Sequence, residues 1–111
     1  MLIAKVVVTG FVMFKKIRRL SYNQLKVLGV FLEAGGKIVT ARQLEKKVKL
    51  KGKSLGGVIS SLSRTRFRGI SLIEPMGKDL KGLGLRWLLN EKIVDAHQAK
   101  KEVSRMLRSY D

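Results

Sequence analysis

Three times along this chain a short polar residue stands three positions ahead of a glutamine at the start of an apolar rhythm: Ser21 with Gln24, Thr40 with Gln43, and Asp95 with Gln98. At that spacing the first side chain accepts from the backbone N–H of the glutamine. The glutamine side chain reaches back to the N–H of the first residue, so two donors orphaned at a helix start are satisfied together. Leu20 with Leu25, and Val39 with Leu44, flank the first two boxes as apolar staples. A chain punctuated in this way starts helices near residues 21, 40 and 95.

The residues behind each box tell which side of the helix is buried. After Ser21, the apolar residues Leu25, Val27, Leu28, Val30, Phe31 and Leu32 run more than halfway round, and Gly35 closes the helix as a left-handed cap. That helix belongs at the centre of a core. The second, over residues 41–48, carries Ala41, Leu44 and Val48 on one face. A short link, KLKGK, leads into a third helix whose Leu55, Val58, Ile59 and Leu62 match the i, i+3, i+4, i+7 pattern. Behind Asp95, the residues Ala96, Ala99, Val103, Met106 and Tyr110 alternate by three and four, a heptad seam two repeats long. Such a seam either pairs with a second copy or folds back on its own domain, and the frequency of two-fold homodimers favours pairing.

Between the third and fourth helices the period changes to two. ISLIE and LRWLLN read as strands joined by PMGKDLKGLG, which holds the only proline and three glycines. Ile70, Leu72, Leu85, Trp87 and Leu89 are expected to line one face of that hairpin against the helices. The opening AKVVVTGFVMF reads as a strand with a turn or bulge, or as a poorly ordered extension. The apolar run over residues 2–14 spans thirteen residues and contains Lys5, too short for the roughly 20 that cross a bilayer. The basic cluster KKIRR comes after that run instead of before it, the wrong order for a secretory leader. With no cysteine, thiolate zinc sites and disulfide frameworks are excluded, and the expectation is a cytoplasmic, nucleoid-associated protein with no membrane partner.

The order of helix, short extended piece at 37–39, helix, helix and two-stranded hairpin over residues 21–90 resembles the winged helix-turn-helix family. TARQLEKKVKLKGKSLGGVISSLSR, with ISLIEPMGKDLKGLGLRWLL after it, carries the likeness. The resemblance implies a mostly helical α+β fold, with a three-helix core and β-hairpin wing over residues 21–92. An N-terminal strand or basic arm would precede it at 1–20, and an added C-terminal helix would come after it at 93–111. It further implies that the third helix enters the major groove of duplex DNA, with the second crossing above it and the hairpin beside the backbone or minor groove.

Charge points the same way. Twenty-four Lys and Arg against eight Asp and Glu give a formal +16, a self-repelling surface best explained by a polyanionic partner. Nine bases between positions 42 and 68, against Glu45 alone, leave +8, half of that total. The candidate phosphate contacts are Arg42, Lys46, Lys49, Lys51, Lys53, Arg66 and Arg68, with Lys78, Lys81 and Arg86 on the hairpin. With the apolar positions inward, Ser54, Gly57, Ser60, Ser61 and Arg64 are left for the outer face of the third helix, where Arg64 is able to grip guanine through two bonds. KKIRR reads as an arm laid along phosphates or as a lead into the first helix.

Other chemistry finds no support in the pattern. GKS at 52–54 lacks the glycine that a phosphate-binding loop needs five residues earlier, where Lys47 stands. His97 is the sole histidine, and the eight carboxylates are scattered, so neither a metal site nor acid–base catalysis is expected. Trp87 in an alternating strand reads as core before it reads as a base-stacking platform. The expectation is a small DNA-binding homodimer without cofactor, a transcriptional regulator and not an enzyme. An architectural protein of little sequence preference, or an RNA-binding or protein-docking module, stands as the alternative.

Overall fold

A computed structural model of the chain describes residues 15–67, 70–78, 82, 84–90 and 96–110. Expectations that rest on the opening strand, Arg68, Lys81 and the cap at Asp95 lie outside the described residues.

Helix α1, Tyr22–Glu33, is the central element. Both bonds of its capping box form: the Gln24 N–H donates to Ser21 Oγ at 3.2 Å, and the Ser21 N–H donates to Gln24 Oε1 at 2.7 Å. All six of its expected apolar residues are buried. Gly35 then takes φ +61, the left-handed geometry that ends the helix without a Cβ penalty. Strand β1, Val39–Thr40, runs directly into α2, Ala41–Val48. Thr40 is at once the end of that strand and the N-cap of that helix, and its box with Gln43 closes at 3.2 and 2.8 Å. Leu44 and Val48 turn into the core, while Ala41 is only half-buried.

The link to α3, Gly52–Arg64, makes its turn with two left-handed residues, Lys49 at φ 59 and Gly52 at φ 56. Gly52 adopts that region freely, whereas Lys49 is the one non-glycine residue with positive φ among those described. Leu55, Ile59 and Leu62 bury the inner face of α3, and Val58 packs half-buried at its margin.

The hairpin departs from the expected pair of strands. β2, Arg66–Phe67, pairs antiparallel with β3, Ile70–Ser71, in a ladder of their own. The chain bends at Leu72, then β4, Ile73–Lys78, pairs antiparallel with β5, Leu85–Leu89. β5 is central in a three-stranded sheet ordered β1-β5-β4. Because the bend interrupts the two-residue alternation, the adjacent Leu72 and Ile73 are both buried, and Ile70 is left 41% exposed. Leu85, at the far end of the hairpin, is 46% exposed. The expected apolar face therefore reduces to Leu72, Ile73, Leu89 and the half-buried Trp87. Pro75 lies inside β4, not in the loop, which an edge strand permits because one of its sides makes no ladder bonds. Between Pro75 and Lys78 the register slips, Met76 and Gly77 of β4 opposing Arg86 alone of β5, and Gly77 at φ 81 accommodates the bulge.

Two further expectations are corrected. Helix α4, Ala96–Arg108, lies back against α1 of its own chain: Ala99 and Val103 are buried, with Met106 and Leu107 packed beside them. Ala99, Val103 and Met106 of the heptad seam are thereby engaged within the chain and not free to pair with a second copy, while Tyr110 stays exposed, since α1 is apolar on too many sides to be left bare there. KKIRR is likewise no free arm. Residues 15–18 are helical, Ile17 and Leu20 are buried, and Arg18 is held by Glu102.

The architecture is a mostly helical α+β arrangement with an antiparallel sheet at one side. A methyl group added at Gly29 of α1 would sit 3.7 Å from Val103 Cγ1, an ordinary van der Waals contact. Gly29→Ala is therefore expected to stabilise the protein by about 1 kcal/mol in urea denaturation through helix propensity, and a loss of stability would mean that α1 and α4 sit closer than described.

Candidate nucleic-acid interface

The residues of α3 that do not face the core fall into two groups. Lys53, Gly57, Ser60 and Arg64, spaced by four, three and four, are all exposed and form one stripe opposite Leu55, Ile59 and Leu62. Ser54 is exposed on the flank of that stripe. Ser61 is different. Its hydroxyl accepts from Gln24 Nε2 at 2.6 Å and donates to the Val58 carbonyl at 2.8 Å, so it is half-buried and ties α3 to α1. Its one proton is committed to Val58 and one lone pair to Gln24, so outward Ser61 can only accept, and the expected donation from it to a phosphate or base edge is not available in this arrangement. Only a tertiary contact could reveal this, since Gln24 is thirty-seven residues away.

Around the stripe the positive charge is dense and unopposed. Arg42 and Lys46, one turn apart on α2, are exposed, as are Lys47 on the same helix and Lys49 and Lys51 in the link. Among the described residues, none of these, nor Lys53 or Arg64, lies within ion-pair distance of a carboxylate. Arg64 sits in the last turn of α3, where the helix dipole favours a cation. Arg66, also exposed, is fixed through its backbone, whose carbonyl accepts from the Lys16 ammonium. Lys78 is exposed at the end of β4, whereas Arg86, expected beside it, turns inward. An Arg86 Nη donates to the Met76 carbonyl at 2.7 Å, closing the bulge in the hairpin, which is a structural task.

Two features of this face work against stability. Nothing lies within 4 Å of a Cβ built at Gly56 or at Gly57, so the packing requires neither glycine, yet each costs α3 about 1 kcal/mol relative to alanine. Lys49 holds a left-handed backbone that a glycine would adopt without strain.

A second cationic surface was not foreseen from the sequence. The outer side of α4 exposes Lys100, Lys101, Arg105 and Arg108, and the 3.6-residue spacing of these cations was the available signal. The one acid of this helix, Glu102, turns inward, its side chain 12% exposed. It accepts from Arg105 Nη2 at 2.6 Å and from Arg18 Nε at 3.0 Å. The hydrogen bond from Arg105 lowers the Glu102 pKa below the ordinary carboxylate value, burial opposes that shift, and Arg18 adds to it. Arg105 is correspondingly held above its usual value by the same carboxylate.

No family model, curated protein or solved structure matches the chain. The residues themselves therefore carry the functional reading. Among the described residues, no helix is long and apolar enough to cross a membrane.

A carboxylate whose folded pKa is depressed contributes stability above its unfolded pKa, and that contribution disappears as pH falls through the folded value. Glu102→Gln is expected to lower stability at neutral pH and to flatten its decline in acid, read from thermal unfolding between neutral and strongly acidic buffers. Parallel pH profiles for wild type and variant would remove Glu102 as the anchor of residues 15–18 and α4.

Proposed function

We propose that this protein binds double-stranded DNA as a winged helix-turn-helix, with α3 in the major groove, α2 and the link on the flanking phosphates, and the β4–β5 hairpin as the wing. The observation that carries the reading is the outer stripe of α3: two cations separated by a glycine and a serine, on a helix with no exposed acid. Small residues there let the backbone approach a groove closely, and Lys53 and Arg64 at either end meet phosphate or base edges. The order of elements and the antiparallel sheet support the same reading, because β1 pins the start of α2 to the hairpin strand β5. The function is binding, not catalysis, and the place for it is the nucleoid.

With the Ser61 proton engaged, the outward donors of α3 are Lys53, Ser54, Ser60 and Arg64, without Asn or Gln. Discrimination between sequences is accordingly weak, which favours a protein that coats DNA over a regulator of single sites. The comparison that decides between them is the affinity ratio between selected and random duplexes at fixed salt. A ratio above about 10³ restores the site-specific regulator.

Removing a phosphate contact lowers the salt dependence of binding by about one unit of log–log slope. Lys51→Ala and Lys53→Ala are each expected to do so on random duplex DNA, and unchanged slopes in both would withdraw this face.

The glycines give a separate test in which stability and binding move in opposite directions. Gly56→Ala and Gly57→Ala should each stabilise the fold by about 1 kcal/mol, while only Gly57→Ala, in the middle of the stripe, weakens duplex binding. Equal affinity for both variants and wild type would rule out close approach of the α3 backbone to DNA.

A further inference from the structure

We infer that the outer face of α4 is a second duplex-binding surface, directed away from α3, so that a single molecule bridges two DNA segments. The inference rests on the reading of α3 as a groove-binding helix and extends it to a surface that reading does not use.

The placement comes from α1. Gln24 bonds Ser61 of α3, and Gly29 faces Val103 of α4, whose Cγ1 would lie 3.7 Å from a Cβ added at Gly29. Five residues of α-helix turn through about 500°, which leaves these two positions roughly 140° apart around the axis. Tyr22, whose ring meets that of Tyr110 just beyond α4 at 5.0 Å, also lies far round from Gln24, by about 160° in the same sense and so within about 20° of Gly29. α3 and α4 therefore occupy nearly opposite sides of α1. With packed helices about 8–10 Å apart, their axes are separated by about 15–20 Å, and each exposed face points outward.

The chemistry comes from the inner side of α4. Ala99 and Val103 are buried against α1, which leaves Lys101, Ser104 and Arg108 on the opposite side, with Lys100 at one edge and Arg105 at the other. Among the described residues, Lys100, Lys101 and Arg108 have no carboxylate within ion-pair distance, because the sole acid of the helix is turned inward onto Arg18 and Arg105. Arg105 and Arg108 have a local reason to be basic, since they sit in the last turn, where the helix dipole favours cations. Lys100 and Lys101, near the middle of the helix, have no such reason. They belong to a net charge of +16, and two adjacent cations add repulsion there without a carboxylate partner among the described residues.

The face selects a duplex over an anionic membrane. A basic helix that lies on a bilayer inserts an apolar side about 5–10 Å into the headgroup region. In α4 that side, made by Ala99, Val103, Met106 and Leu107, is spent on α1. What remains outward is polar and cationic, suited to a ladder of phosphates and not to acyl chains.

The test uses the full chain and two arms. Fluorescence anisotropy on one labelled duplex measures single-duplex affinity, and capture of a labelled duplex by a bead-bound duplex measures bridging. The α4 variant replaces the exposed Lys100, Lys101 and Arg108 by Gln, and circular dichroism checks that its helix content is retained. The expected result is bridging by wild type, single-duplex affinity within about threefold in the α4 variant, and at least about a tenfold loss of capture, since three phosphate contacts disappear from the second face alone. Lys51→Gln with Lys53→Gln should reduce both arms. Wild type that binds one duplex but captures no second overturns the bridging surface while leaving the α3 reading intact. Capture undiminished in the α4 variant, or capture traced by sedimentation to protein dimers that the variant still forms, also overturns it. Failure of wild type to bind a single duplex sinks both readings. Binding to anionic vesicles that depends on these three residues, without duplex capture, replaces the inference with a membrane contact.

Discussion

Every other element of this fold is arranged around the burial of α1. A helix with Leu25, Val27, Leu28, Val30, Phe31 and Leu32 inside a twelve-residue span has no single apolar side to hide, so one neighbouring element cannot cover it. α3 takes the side of Gln24, α4 the side of Gly29, and α2 and the sheet close the remainder. Each covering helix contributes a narrow inner line of apolar residues, Leu55, Ile59 and Leu62 in one case and Ala99 and Val103 in the other. The outer sides are left to other chemistry. The apolar demand of one helix thus sets the directions in which the charged faces of two others point.

Electrostatics inside the fold is sparing in a way that matters for those faces. The ion pairs described all converge on Glu102, which draws Arg18 and Arg105 together and pins residues 15–18 to α4. Pairs whose arginine stays more than half exposed, as both do here, are worth about 0–1 kcal/mol each, but their position fixes an otherwise basic segment against the core. The other described cations of α2, the link, α3 and α4 find no internal acid. Among the described residues, no carboxylate accounts for their accumulation. Nor does stability account for the unforced glycines of α3 and the left-handed Lys49, since a chain selected for stability alone would place alanines and a glycine there.

The helix starts and the central helix were legible because the signals for them are local. A capping box involves residues three apart, and the period of α1 declares burial within three turns. The cationic stripe of α3 was legible for the same reason, as the complement of Leu55, Ile59 and Leu62. The hairpin was less so. Whether Leu72 continues a strand or bends it is decided by competing pairings, β2 with β3 and β4 with β5, whose partners lie elsewhere in the chain. Pro75 was misplaced because its fit in β4 depends on that strand being an edge, which is a property of the sheet and not of the residue.

The order of amino acids was enough to establish where helices begin, which residues of α1 and α3 turn inward, and how much positive charge is left without an internal partner. Those properties come from contacts within one or two turns and from composition, and distant parts of the chain do not alter them. It took the closed core to establish that α4 lies on α1, that Ser61 serves Gln24, that Arg86 closes a bulge and that Ile17 locks the basic cluster in place. Each of these is a choice between solvent and a remote partner of comparable chemistry. It is settled only when the core has closed and the surface still uncovered is known.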